Sequence, residues 1–272
     1  MHQLFVNKGF GMANKELVII GLDLSANGAG LVALSYSSGE VIKTGYITNQ
    51  KQFLDKKEIG ITAFYLQPRS GKKKNQEEED KDTFISRRRN FIFQNVVRFI
   101  GEFCFNKERQ DILVCLEDYA VQSQSTGLLE MAEISGLVRN YLWEKGLQLR
   151  LHDPLSVKMW ATGNGFAKKV HMVDAAIAEC FDVPTWLLSK GNKFKDPLFI
   201  NNRKVEYDYS GPGTDIADAF HLARLGRQEI RVRVGEVPLE GLVDHQRRIY
   251  LRVTKSNPIN LLAKPFIVIK EK

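Results

Sequence analysis

Apolar positions come first in short runs and then in longer periods. Residues 17–23, 29–36 and 41–48 are rich in Val, Ile, Leu, Tyr and Thr, and are parted by Asn27-Gly28 and Ser37-Ser38-Gly39-Glu40. This predicts three strands joined by tight turns. The first run is apolar at nearly every position, as a central strand covered on both faces would be. From Phe84 the period becomes helical, with Ile85, Arg88/Arg89, Ile92, Val96, Phe99/Ile100 and Phe103 on one stripe. A fourth strand is expected over 111–116, ending on Glu117-Asp118-Tyr119. A helix from Gly127 to Lys145 follows, with Leu128, Met131/Ala132, Ser135, Val138 and Leu142 on its stripe and Gly146 as its stop. Leu147 to His152 reads as a fifth strand ended by Pro154. The Gly163-Asn164-Gly165 turn then leads into a helix with Val170, Val173, Ile177 and Phe181 inward. Gly213-Thr214-Asp215 opens a last helix, Ile216 to Leu225.

Three stretches lack these periods. Residues 67–83 run from Gly71-Lys72-Lys73-Lys74 into Glu77-Glu78-Glu79-Asp80-Lys81-Asp82 and read as a solvated insertion. Residues 182–213 carry Pro184, Pro197, Pro212 and several lysines and read as a second insertion. From Arg227 on, β-like runs at 230–234, 249–253 and 266–269 predict a β-rich C-terminal extension over 227–272. The organisation expected is an N-terminal extension (1–15), one α/β domain over 16–226, and that extension.

Composition changes little in this picture. The chain has 272 residues, 43% hydrophobic and 26% charged, ordinary for a globular protein. No apolar run approaches the length of a membrane span and no secretory leader is seen. Cys104, Cys115 and Cys180 stand apart in apolar contexts and read as buried thiols of a reducing, cytoplasmic compartment. The net charge of +7 is a mild argument for a polyanionic partner.

The chemistry lies in four carboxylates. Asp23 and Glu117 each end a strand, and sites in such sheets form at the carboxyl ends of strands. Thr214 is a good N-cap, and Asp215 and Asp218, three apart, share one face of the helix that follows. If strands one and four are adjacent and parallel, all four acids converge. Like charges so placed call for a hard divalent cation such as Mg²⁺ with oxygen ligands. Two such cations sharing Asp23 would suit an in-line phosphoryl displacement. Taken singly, acids at helix starts are ordinary caps. Lys158 and Lys169 flank the Gly-rich turn, where backbone amides and a lysine suit a phosphate; the ordinary reading is an exposed helix start. His221, three residues after Asp218, is a possible accessory proton carrier or a packed histidine. Ser25, Asn27, Arg87, Arg88, Arg89, Gln122 and Lys168 are candidate DNA-backbone contacts.

These motifs resemble the RuvC family of Holliday-junction resolvases. Gly21-Leu22-Asp23, Leu116-Glu117, the segment Val157-Lys158 through Thr162-Gly163-Asn164-Gly165-Phe166-Ala167-Lys168-Lys169, and Thr214-Asp215-Ile216-Ala217-Asp218-Ala219 carry the resemblance. It covers roughly residues 17–181 and 213–226. It implies an RNase H-like fold with a mixed five-stranded sheet, three antiparallel strands then two parallel ones, flanked by helices. It further implies Mg²⁺ or Mn²⁺, a homodimer, no nucleotide cofactor, and paired symmetric nicks in four-way DNA junctions. Asp23, Glu117, Asp215 and Asp218 match the family's metal-binding acids, and Lys158 and Lys169 its catalytic lysines. The long insertions and tail depart from the compact bacterial enzyme and point to a phage-type member. The helix Leu128 to Trp143, with Tyr141 and Trp143, is the candidate dimer interface. Rival readings are a broader flap or branched-DNA nuclease, an actin-like ATPase with a Gly-x-Asp hairpin, and a non-catalytic nucleic-acid-binding protein.

Overall fold

The structure, a computed structural model, describes residues 16–54, 60–69, 80–104, 112–118, 126–255 and 261–262. In chain order its elements are β1 (Val18–Ser25), β2 (Gly28–Ser35), β3 (Val41–Thr48), β4 (Ile61–Tyr65), α1 (Lys81–Cys104), β5 (Ile112–Glu117), α2 (Thr126–Glu144), β6 (Gln148–His152), α3 (Pro154–Thr162), α4 (Lys169–Ala178), β7 (Ser189–Ile200), β8 (Arg203–Ser210), α5 (Pro212–Arg233), α6 (Asp244–Lys255) and β9 (Leu261–Leu262). The central sheet has the order β4-β3-β2-β1-β5-β6-β9. β1 and β3 run antiparallel to β2, and β1, β5 and β6 are parallel. This is the expected arrangement of three antiparallel strands followed by two parallel ones, extended by one strand at each edge. β4 joins β3 in parallel and the short β9 joins β6 antiparallel. Among the described residues no helix is long and apolar enough to cross a membrane.

Helices cover both faces, which is why β1 and β2 lack a polar alternation. Val18, Ile20, Leu22 and Leu31 pack with Val96, Phe99 and Ile100 of α1 and with Val138 and Leu142 of α2. Ile19, Val32, Leu113 and Cys115 pack on the other side with Ile216, Ala219, Phe220 and Ala223 of α5. α5 lies unusually close to the sheet. A Cβ on Gly21 would fall 1.9 Å from the Ala219 carbonyl oxygen, and one on Gly226 would fall 2.2 Å from Cys115 Sγ. Gly21→Ala is therefore expected to lift α5 off β1 and to cost about 1–3 kcal/mol as overpacking, read as a lowered midpoint in chemical denaturation. An unchanged midpoint would mean that the helix does not seat on the β1 backbone.

Several expectations are corrected. The last helix does not stop at Leu225; it continues to Arg233, because Gly226 serves close packing and not a cap. Among its described residues the C-terminal region is helical, apart from the short β9, and not β-rich. Residues 230–234 lie at the end of α5, and 249–253 fall in α6, where Ile249 and Val253 are one helical turn apart and join the core with Leu242 and Ile230. The run at 266–269 lies outside the described residues. Buried Arg150 of β6 ties this region in: its Nε donates to Glu229 at 2.8 Å and its Nη2 to the Val253 carbonyl at 3.0 Å. The 182–213 stretch contains a β-hairpin, β7–β8, forming its own two-stranded sheet. Within 67–83, residues 70–79 lie outside the described residues and α1 begins at Lys81. Cys115 is buried as expected, whereas Cys104 is half-buried and Cys180 is exposed. Ile177 is also exposed, since α4 turns that side outward.

Candidate active site

Strand parity decides which side chains meet. Successive residues of a strand point to opposite faces. Ile19 packs on the α5 side, so Gly21 and Asp23 face α5 too. Leu113 and Cys115 pack on the same side, which assigns Glu117 there as well. The parallel register pairs Leu22 with Leu116, so the next residues, Asp23 and Glu117, stand side by side at the carboxyl ends of adjacent strands.

The first turn of α5 lies over them. Gly30 is the ladder partner of Asp23, and a Cβ on Gly30 would fall 2.0 Å from the Asp215 carbonyl oxygen. Only a residue without a side chain lets Asp215 come down to this level. Gly211, at φ 94°, precedes the helix and Pro212 starts it, a combination suited to a sharp entry. Thr214 Oγ1 donates back to the Gly211 carbonyl at 2.8 Å, so the expected N-cap threonine sits inside the helix and braces its first turn.

The electrostatics register the convergence. Burial holds the Asp23 carboxyl well above the usual range, and Asp218, Glu117 and Asp215 push it further in that direction, against Lys169. Burial pushes Glu117 up to about 7, with Asp218 adding to the shift and Lys158 and Lys169 opposing it. Burial likewise pushes Asp218 up to about 7, against Lys169 and Lys158 and with Asp215 and Asp208 adding. Each of these acids thus resists ionisation first because it is buried and then because other acids are near. Lys169, the first residue of α4, reaches across: its Nζ donates to Thr214 Oγ1 at 2.9 Å and to Asp215 Oδ1 at 3.1 Å. Burial disfavours the charge of Lys169, but Asp215, Asp218 and Asp23 outweigh it and raise its pKa.

Among the described residues, no three His, Cys, Asp or Glu side chains form a ready-made metal-ligand set as they stand. The donor set still fits a hard divalent ion: it is all oxygen, carboxylate-rich, and held in protonation states that a cation would reverse.

The other candidates separate into several groups. Lys158, on α3, acts electrostatically on Glu117 and Asp218. Lys168 is exposed at the start of α4, its backbone N–H donating to His171 Nδ1. Ser25 and Asn27 form the β1–β2 turn, where Ser25 Oγ donates to the Gly28 carbonyl. Arg88 Nη1 donates to Asn27 Oδ1 at 2.9 Å, and Arg88 and Arg89 pair with Glu130 and Glu133 of α2. These two arginines clamp α1 to α2. Arg87 lies over the Phe84 ring and near the Gln67 carbonyl. Gln122 lies outside the described residues. His221 is fully buried at the α4–α5 contact, one ring nitrogen 2.9 Å from the Met172 carbonyl. Its charged neighbours are Glu179 and Arg224, so it is the packed histidine and not a partner of the acids. On α2, Trp143, Leu137 and Leu129 are exposed, while Tyr141 packs edge-on to Phe93.

Three further residues lie near the acids and are not among the sequence candidates. Asp153 caps α3, accepting from the Ser156 N–H at 2.9 Å, and adds to the shift of Glu117. The Asp153-Pro154 pair is a legible helix start, and that signal could have found it. Asp208, on β8, accepts from the Val170 N–H at 2.9 Å, a long-range contact with no local signal. His152 pairs in register with Glu117. It is buried with both ring nitrogens lacking a partner, and burial lowers its pKa to about 4.

No family model and no curated protein sequence matches this chain. Solved structures that resemble it include two of RuvC. RuvC from Thermus thermophilus is 14% identical at a TM-score of 0.43, covering 80% of this chain and 96% of that one. RuvC from T. thermophilus in complex with a Holliday junction substrate is 12% identical at a TM-score of 0.40, covering 78% of this chain and 96% of that one. Both likenesses are shallow.

Proposed function

We propose that this chain is a divalent-metal-dependent DNA endonuclease of the RuvC kind, acting on four-way junctions. One observation carries the reading: Asp23 is buried beside Glu117 at the ends of adjacent strands, beneath the helix turn that brings Asp215 and Asp218. A fold gains nothing in stability from gathering buried like charges, and such clusters belong to sites that bind cations or move protons.

Asp23, Glu117, Asp215 and Asp218 would hold Mg²⁺ or Mn²⁺, which supplies an activated water and neutralises charge on the leaving oxygen. Asp23, beside Glu117 and beneath α5, would be central among the acids that hold the metal. Lys169 guards Asp215 in the free chain and is positioned to turn its ammonium toward a phosphate once the acids are otherwise neutralised. Lys158, on the Glu117 side, supplies a second point charge for the backbone. A two-fold junction suits a two-fold enzyme, and the exposed apolar Trp143, Leu137 and Leu129 of α2 would contribute to a homodimer interface.

Product mapping on a mobile four-way junction, with Mg²⁺ and Mn²⁺ compared, tests this reading. Paired nicks at symmetric positions in strands of like polarity are expected with either ion. Cutting of flaps or single strands with the junction ignored would replace the resolvase by a broader nuclease of the same site.

A further inference from the structure

The β7–β8 hairpin is a ribbon with little core of its own, and the metal centre does not use it. It is rooted beside that centre at both ends of its connection. Asp208, near its exit, caps the first turn of α4 next to Lys169. Ser210 and Gly211 then lead directly into the α5 turn that carries Asp215. Outward from this root the ribbon is mostly exposed. An isolated two-stranded ribbon is only marginally stable in water, so an extended exposed one rooted here is costly unless something covers it.

Its surface chemistry indicates what does. Lys190, Lys193 and Lys195 are exposed along β7, and the first two lie over the Tyr207 ring at 5.0 and 5.9 Å. Across the ribbon, Glu206 pairs with Lys204 at 2.8 Å and Asp208 serves as the α4 cap. The acids of β8 are therefore engaged, while the β7 lysines line one strand. At the far end Asn201 and Asn202, both at positive φ, make the turn, as a two-residue hairpin loop requires. Just before it stands Phe199, 76% exposed, with Lys204 as its cross-strand partner. An apolar ring at a basic tip suits a surface that is anionic outside and aromatic within.

We infer that the β7–β8 ribbon is a DNA-binding arm, with Lys190, Lys193 and Lys195 on backbone phosphates and Phe199 against an exposed base. This rests on the nuclease reading for its substrate, but not on the metal chemistry. A two-stranded ribbon is of a size that a major groove admits, and stacking on an aromatic ring tolerates any base.

The test is junction binding in EDTA, where no cutting occurs, measured over a range of salt concentrations. Lys190, Lys193 and Lys195 are replaced together by Gln, and Phe199→Ser is made separately. Each phosphate contact contributes about 0.9 to the slope of log K against log salt, so the triple variant should lower that slope by about 2–3. Phe199→Ser should weaken binding about tenfold, within the range of base–aromatic stacking, with little change of slope. All four positions are exposed, so an unchanged melting temperature should accompany both effects. If the wild type cuts junctions and neither variant alters binding, the arm is overturned and the nuclease stands. If the variants weaken binding but the wild type never cuts, the arm stands and the nuclease falls. A wild type that binds no DNA overturns both.

Discussion

Asp23→Asn is expected to abolish junction cutting, by about a thousandfold or more, while leaving junction binding within about twofold. A thousandfold loss corresponds to about 4 kcal/mol of transition-state stabilisation, a reasonable share for the residue that would be shared between two cations. The substitution keeps the shape of the side chain, removes one charge, and leaves the exposed ribbon and surface lysines untouched. Lys169 bonds to Thr214 and Asp215 and not to Asp23, so the local packing does not depend on the lost carboxylate. Gel-shift affinity and single-turnover cleavage, measured on the same preparation, separate the two effects. A variant that still cuts at a tenth of the wild-type rate would remove Asp23 from the centre.

The second large effect concerns stability. Glu117 and Asp218 titrate near 7 in the folded chain, against ordinary values of 4.5 and 3.8. Between those limits the folded state holds more protons than the unfolded state, so stability falls as pH rises. The metal-free protein should therefore be most stable toward the acid side of this window and weaken as pH passes about 7. One pKa unit corresponds to about 1.4 kcal/mol, and neighbouring sites do not add, so a combined loss of about 1–3 kcal/mol is reasonable. For a domain of this size that is a fall of roughly 3–10 °C in melting temperature. Mg²⁺ should reverse it at pH 8, and Asp23→Asn in EDTA at pH 8 should melt above the wild type, since it replaces a buried, crowded acid with a neutral side chain. Scanning calorimetry across pH, with EDTA or Mg²⁺, reads all three. A wild type that grows steadily more stable from pH 5 to pH 8 in EDTA would contradict the crowding of these acids.

Much of this site is legible in the sequence. The run from Leu17 marks β1 as central, and parity alone assigns Gly21 and Asp23 to one face. The same parity on β5 assigns Glu117. The three-residue spacing of Asp215 and Asp218 needs only the helix that Thr214 announces. The features that stay hidden are long-range. The last helix reads as ending at Leu225, but the missing side chain of Gly226 makes room for Cys115 Sγ, and α5 runs on. Val253 and Ile249 look like strand residues because they are β-branched, yet they are spaced by four and face a core that only tertiary packing supplies. Arg88 and Arg89 read as a basic patch until Glu130 and Glu133, more than 40 residues later, come up against them. Asp208 has no local sign of its role, because the helix it caps lies more than 30 residues earlier.

The central claim is that Asp23, Glu117, Asp215 and Asp218 form one cation-binding centre. Titration calorimetry with Mn²⁺ at pH 7.5, on the wild type and on Asp23→Asn without DNA, addresses it most directly. Saturable binding with release of protons is expected for the wild type, because Glu117 and Asp218 must ionise to ligate, and Asp23→Asn should weaken it about tenfold or more. Equal binding isotherms for the two proteins, or none in the wild type, would contradict it.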